Sequence, residues 1–208
     1  MNTKGTVRAI AGVSRAGWQR RGLAPCILAL ALAACGSPSP VETNADGHVD
    51  ILIASDEPGA GGLAIDYDFT TPIEVFESAS IGGMTLWSGA DPGLMQLFSD
   101  EPDEGFYVLD DDVTVSLEIV ALDPAAKFKF GGVTLDEPGD SVVLGTTPRL
   151  HGHGEWQLVL PEDVHEGAYE LSFRVTTESE TYADSATTTA ILAPVEGEED
   201  HEHEEEEE

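Results

Sequence analysis

The chain has 208 residues, 41% of them hydrophobic, with 40 acidic against 9 basic residues and a formal net charge of −31. That length suits one domain with a core, and the hydrophobic share excludes wholesale disorder. The acidic balance excludes a nucleic-acid binder, because neutralising phosphates takes clustered Lys and Arg.

The first 34 residues hold Lys4, Arg8, Arg15, Arg20 and Arg21 and no Asp or Glu. The remainder therefore sets four basic residues against forty acidic ones, a net charge of −36. An apolar run from Leu23 to Leu32 follows the arginines. It is long enough for a signal-peptide core and too short to span a bilayer. The run ends in Leu32-Ala33-Ala34-Cys35, ahead of Gly36-Ser37-Pro38-Ser39-Pro40. Small residues before a cysteine and a Gly/Ser/Pro stretch after it resemble the lipobox of bacterial lipoproteins. The resemblance implies cleavage before Cys35 and acyl chains on that cysteine, giving a lipid-anchored protein of the cell envelope. In an organism with two membranes, Gly36 in place of an Asp after Cys35 points to the outer one. Residues 1–34 then form a signal peptide, and 35–46 a lipidated cysteine with a flexible tether. Cys26 leaves with the signal, so no disulfide, cysteine nucleophile or thiolate ligand is expected in the mature chain.

Residues 47–195 read as a single β domain of short alternating runs between Gly/Pro/Asp clusters. A first strand around His48–Ile53 ends at the turn Asp56-Glu57-Pro58-Gly59. Leu63, Ile65, Tyr67 and Phe69 then share one face of a strand, and Val113, Val115, Leu117 and Ile119 share one face of another. Gly93 to Phe98 is the one place where a short helix is expected. Further strands are expected around Phe128-Lys129-Phe130 and Ser141–Leu144. Trp156, Leu158 and Leu160 line the buried face of one later strand, and Tyr169, Leu171, Phe173 and Val175 that of the next. A Thr-rich strand over 185–192 closes the domain. Seven or more short strands predict an immunoglobulin-like antiparallel β-sandwich. Gly167-Ala168-Tyr169 resembles a tyrosine corner, so Tyr169 is expected to be buried with its hydroxyl bonded to the main chain. Residues 196–208 (EGEEDHEHEEEEE) offer nothing to bury and predict a disordered acidic tail.

Chemistry concentrates on six histidines. In Leu150-His151-Gly152-His153-Gly154-Glu155-Trp156, an extended backbone would place His151, His153 and Glu155 on the face opposite Trp156. Two imidazoles two residues apart can converge on one cation, with the glycines removing bulk beside it. Imidazole nitrogen with carboxylate oxygen suits zinc, with copper and nickel behind it. His48 is the expected third ligand, and Glu155 or His165 the fourth. His201 and His203 would hold ions weakly among their flanking glutamates. The acidic runs Asp100–Glu104 and Asp110–Asp112 lack the ligand spacing of an EF-hand and read as solvated turns.

The GHVD opening at 47–50, with LHGHGEWQLVLPEDVHEGAYELSFRVTTESETYADSATTT at 150–189, resembles the actinobacterial-type surface-anchored protein domain, also called choice-anchor M. Trp156-Gln157-Leu158 departs from that family's usual W-x-F. The resemblance implies an exported module associated with metal ABC-transport systems, which would be the partner, and supports metal binding. Motifs for a nucleophile elbow, a P-loop, a dinucleotide fold or a zincin helix are absent from the sequence, so no enzyme is expected. The expected function is non-catalytic capture or delivery of a divalent transition metal, zinc first. The competing expectation is a structural or adhesive envelope module that binds a protein partner without metal.

Overall fold

The computed structural model describes residues 50–196. Cys35, His48, His201 and His203, and with them the lipobox and the expected disordered tail, lie outside the described residues. The described chain is an all-β sandwich without a helix.

β1 (Ile51–Glu57) and β2 (Ala60–Asp66) form a hairpin across Pro58-Gly59, at the turn the sequence marks. β3 (Ile73–Ile81) and β4 (Met84–Gly89) form a second hairpin, with Ile81 opposite Met84. Its turn residues Gly82 and Gly83 have φ of 64° and 81°. Two successive positive φ values are what a tight two-residue hairpin turn needs.

β5 (Leu94–Gln96) stands where a short helix was expected. Leu94 and Leu97 have helical spacing, but they serve two different clusters. Leu94 enters the main core, whereas Leu97 packs with Leu52 and Ala54. Parallel pairing with β1 keeps the segment extended.

The remaining strands are β6 (Thr114–Leu122), β7 (Ala126–Phe130), β8 (Val133–Leu135), β9 (Ser141–Thr146) and β10 (His151–Gly152). After them come β11 (Glu155–Pro161), β12 (Tyr169–Thr177), β13 (Tyr182–Ala183) and β14 (Thr188–Val195). One sheet has the order β10-β5-β1-β2-β13, the other β8-β7-β11-β4-β3-β14-β12-β6-β9. Most neighbours are antiparallel, but β1–β5, β2–β13 and β3–β14 run parallel, so both sheets are mixed.

The alternating faces read from the sequence meet in the core. Val113, Val115, Leu117, Ile119, Trp156, Leu158, Leu160, Leu171, Phe173 and Val175 are all buried there. Trp156 is fully buried, its ring 4.8 Å from that of Phe128 and 6.0 Å from that of Phe173. Each large side chain of this kind contributes about 1.5–3 kcal/mol or more by leaving water.

Tyr169 differs from expectation. It is half-buried, its ring lies over Gly167, and among the described residues its hydroxyl has no main-chain partner. Tyr182 takes that role instead: it is buried, and its hydroxyl accepts the Asp110 N–H at 3.1 Å. The G-x-Y spacing here records a ring packed on a glycine whose φ is 142°.

Candidate metal centre

The H-G-H-G segment is where the chain passes between sheets. β10 belongs to the five-stranded sheet and β11 to the nine-stranded one, with His153 and Gly154 as the crossing. Alternation cannot be carried across such a break. His151 and His153 nevertheless stay together, their rings 5.3 Å apart. Glu155 does not join them, because its carboxylate is held by Lys129 Nζ at 2.7 Å and by Gln157 Nε2 at 2.8 Å. The Lys129 hydrogen bond holds the Glu155 carboxyl below its usual range.

The glycines serve packing. A Cβ on Gly152 would press against the Phe130 ring, and one on Gly154 would collide with Phe128. The two histidines are exposed, and β10 is held in register from the buried side. There the Leu150 carbonyl accepts the Gln96 N–H at 3.0 Å, while the Leu150 N–H donates to Gln96 Oε1 at 3.2 Å.

The third member of the cluster is Asp50, the last residue of GHVD. Asp50, His151 and His153 each offer a donor atom, and these atoms lie within 4.8 Å of one another. The Asp50 side chain is only 2% exposed, with Oδ2 3.5 Å from His151 Nε2. Zinc bonds of about 2.0–2.1 Å at tetrahedral angles separate neighbouring donors by roughly 3.4 Å. The Asp50–His151 spacing is close to that value and longer than a good hydrogen bond, while the three donors together are bounded at 4.8 Å. A buried carboxylate is costly unless compensated. Here Gly93 donates its N–H to Oδ1 at 3.2 Å, and the other oxygen faces imidazole.

The loop 90–93 forms the wall of this site. His153 Nδ1 lies 3.3 Å from the Ala90 carbonyl and 3.5 Å from Asp91 Oδ1. Gly93 fills the gap between Asp50 and His153, where a Cβ would stand 2.7 Å from Asp50 Oδ1 and 2.8 Å from His153 Cε1. The loop is tied to the core by the Trp156 indole, which donates to the Pro92 carbonyl at 3.0 Å.

His165 is elsewhere. It stands edge-on to Trp87 at 5.9 Å between ring centroids, with Nδ1 3.7 Å from Glu196. A second group, Asp66, Glu101 and Glu104, also brings carboxylate oxygens within 4.8 Å of one another, and burial pushes the Asp66 carboxyl up.

Sequence reasoning singled out both histidines of the H-G-H-G segment and missed Asp50. The signal was available, since His48 and Asp50 repeat the i, i+2 spacing of His151 and His153. Reading GHVD only as a strand opening hid it.

No protein-family model and no curated protein matches the chain. Among solved structures, the N-terminal domain of PorA aligns with a TM-score of 0.35 at 11% identity, over 70% of this chain and 97% of that one. The CooA pilin subunit from enterotoxigenic Escherichia coli aligns with a TM-score of 0.28 at 10% identity, over 61% and 90%. At those scores neither likeness bears on what the chain does.

Proposed function

We propose that the protein is a lipid-anchored envelope protein that binds a divalent transition metal, zinc first, for capture or delivery and without catalysis. The observation that carries this is the convergence of Asp50, His151 and His153 donors within 4.8 Å. Two imidazoles and a carboxylate match the nitrogen and oxygen chemistry zinc takes. His48, two residues before Asp50 on the side of the chain outside the described residues, is the proposed fourth ligand. A metal ABC-transport system is the proposed partner. It rests on the family resemblance of the GHVD and LHGHGEW segments.

The test is zinc calorimetry on the full chain, purified without metal-affinity steps. A tight site is expected at one zinc per chain, lost in Asp50→Asn and in the His151→Ala/His153→Ala double variant and weakened in His48→Ala. If the double variant binds zinc as the wild type does, the ligand set is wrong. If nothing binds tighter than about millimolar, the structural-module reading takes its place.

A further inference from the structure

The loop 90–93 touches two of the three proposed ligands, and its Asp91 stands beside the grouped donors without being one of the three. At its buried end, Gly93 fixes one oxygen of Asp50. At its exposed end, the Ala90 carbonyl and the Asp91 carboxylate both face the same nitrogen of His153, Nδ1. An imidazole has one lone pair when neutral, and the hydrogen bond made by one nitrogen decides which nitrogen keeps it. The Ala90 carbonyl at 3.3 Å can accept a proton carried on Nδ1, and the Asp91 carboxylate at 3.5 Å, beyond good hydrogen-bond length, favours a proton there through its negative charge. Nε2 then holds the lone pair. Metal-binding histidines are commonly fixed in this way, by a carboxylate or carbonyl on the nitrogen away from the ion.

We infer that Asp91 is a positioning residue for His153, holding the proton on Nδ1 together with the Ala90 carbonyl so that Nε2 is free to take a metal ion. This rests on the metal reading above. It adds that the loop between β4 and β5 presets the site before any ion arrives. The Trp156 bond to Pro92 keeps that loop in place from the core side. Asp91 itself, half exposed, can be replaced without opening the core.

The experiment is nitrogen NMR on the metal-free full chain labelled at histidine, recorded at about pH 9 where imidazoles are neutral. His153 is assigned by its loss in His153→Ala. The wild type is expected to carry the His153 proton on Nδ1. Asp91→Ala is expected to move it toward Nε2, the position a solvated imidazole favours, and Asp91→Glu to restore it in part. Zinc affinity of Asp91→Ala should fall about 10- to 100-fold with the melting temperature of the metal-free chain unchanged. A His153 proton already on Nε2 in the wild type, or nitrogen shifts unchanged by Asp91→Ala, would overturn the inference. Failure of the wild type to bind zinc would instead remove the ligand reading, and the metal-free spectra would still decide the tautomer.

Discussion

Gly93 donates its N–H to Asp50 Oδ1, and any side chain at Gly93 would have to occupy the space beside that same oxygen. The position is thus at once a hydrogen-bond donor to one proposed ligand and the gap between that ligand and His153. Its φ lies outside the left-handed region, so the need for glycine is spatial and alanine fits the backbone. The atoms that an added Cβ meets belong to the Asp50 and His153 side chains and not to backbone, so both must shift. Gly93→Ala is therefore expected to fold with a loss of about 1–3 kcal/mol. It should displace Asp50 and His153 and weaken zinc binding at least about tenfold, a loss of roughly 1.4 kcal/mol. Calorimetry beside urea unfolding checks both halves. Unaltered zinc affinity in a folded Gly93→Ala protein would show that the cluster is not the site.

Trp156 links core and site through a single side chain. Trp156→Ala should cost about 3–5 kcal/mol, because it empties a fully buried position among Phe128 and Phe173. Trp156→Phe retains most of that packing but removes the indole donor from the Pro92 carbonyl. It should cost about 1–2 kcal/mol and lower zinc affinity as well, because the loop wall loses its tie. A Trp156→Phe protein with reduced stability but wild-type zinc affinity would uncouple the loop from the site.

The buried faces were legible wherever alternation runs unbroken, as in Val113–Ile119 and Leu171–Val175. They were illegible where a strand changes role along its length. In β3 only Ile73 and Val75 are buried, whereas Phe76 and Ile81 are exposed at 46% and 79%, so no period of two survives to be read. Its register also shifts between Glu77 and Ala79. The proposed site was half legible. The spacing of His151 and His153 announces a pair, but Asp50 joins it only because β1 and β10 both flank the three-residue strand β5. Such a meeting depends on sheet order, and local pattern does not encode sheet order. Glu155 shows the converse error, a residue of the right type and spacing whose charge Lys129 already occupies.

Tyr182 gives a pH prediction of definite sign. Burial pushes its phenol above the ordinary value of 10, ahead of the smaller effects of Asp110. Above pH 10 the unfolded chain therefore gives up this proton more readily than the folded one. The stability it contributes is complete below pH 10 and is lost as pH rises through the folded value. Tyr182→Phe should cost about 1 kcal/mol at neutral pH, from the lost acceptor for the Asp110 N–H. The gap to wild type should then shrink between about pH 8 and about pH 11. Urea midpoints of both proteins at those two pH values provide the measurement, and a constant gap would mean the phenol titrates alike in both states.

The proposed anchor is tested at Cys35. Among the described residues, no helix is long and apolar enough to cross a membrane. The chain beyond residue 34 sets four basic residues against forty acidic ones, so anionic headgroups repel it and do not hold it. The acyl chains implied by Leu32-Ala33-Ala34-Cys35 are then the proposed source of attachment. Each buried methylene contributes about 0.8 kcal/mol, and two chains or more on one cysteine make the attachment stable where one would exchange. Wild-type protein should accordingly enter the detergent phase on phase separation and resist a high-salt wash. Cys35→Ser should move to the aqueous phase while its zinc affinity stays within twofold of wild type. Equal partitioning of the two proteins would remove the lipid anchor from the proposal and leave the metal site standing.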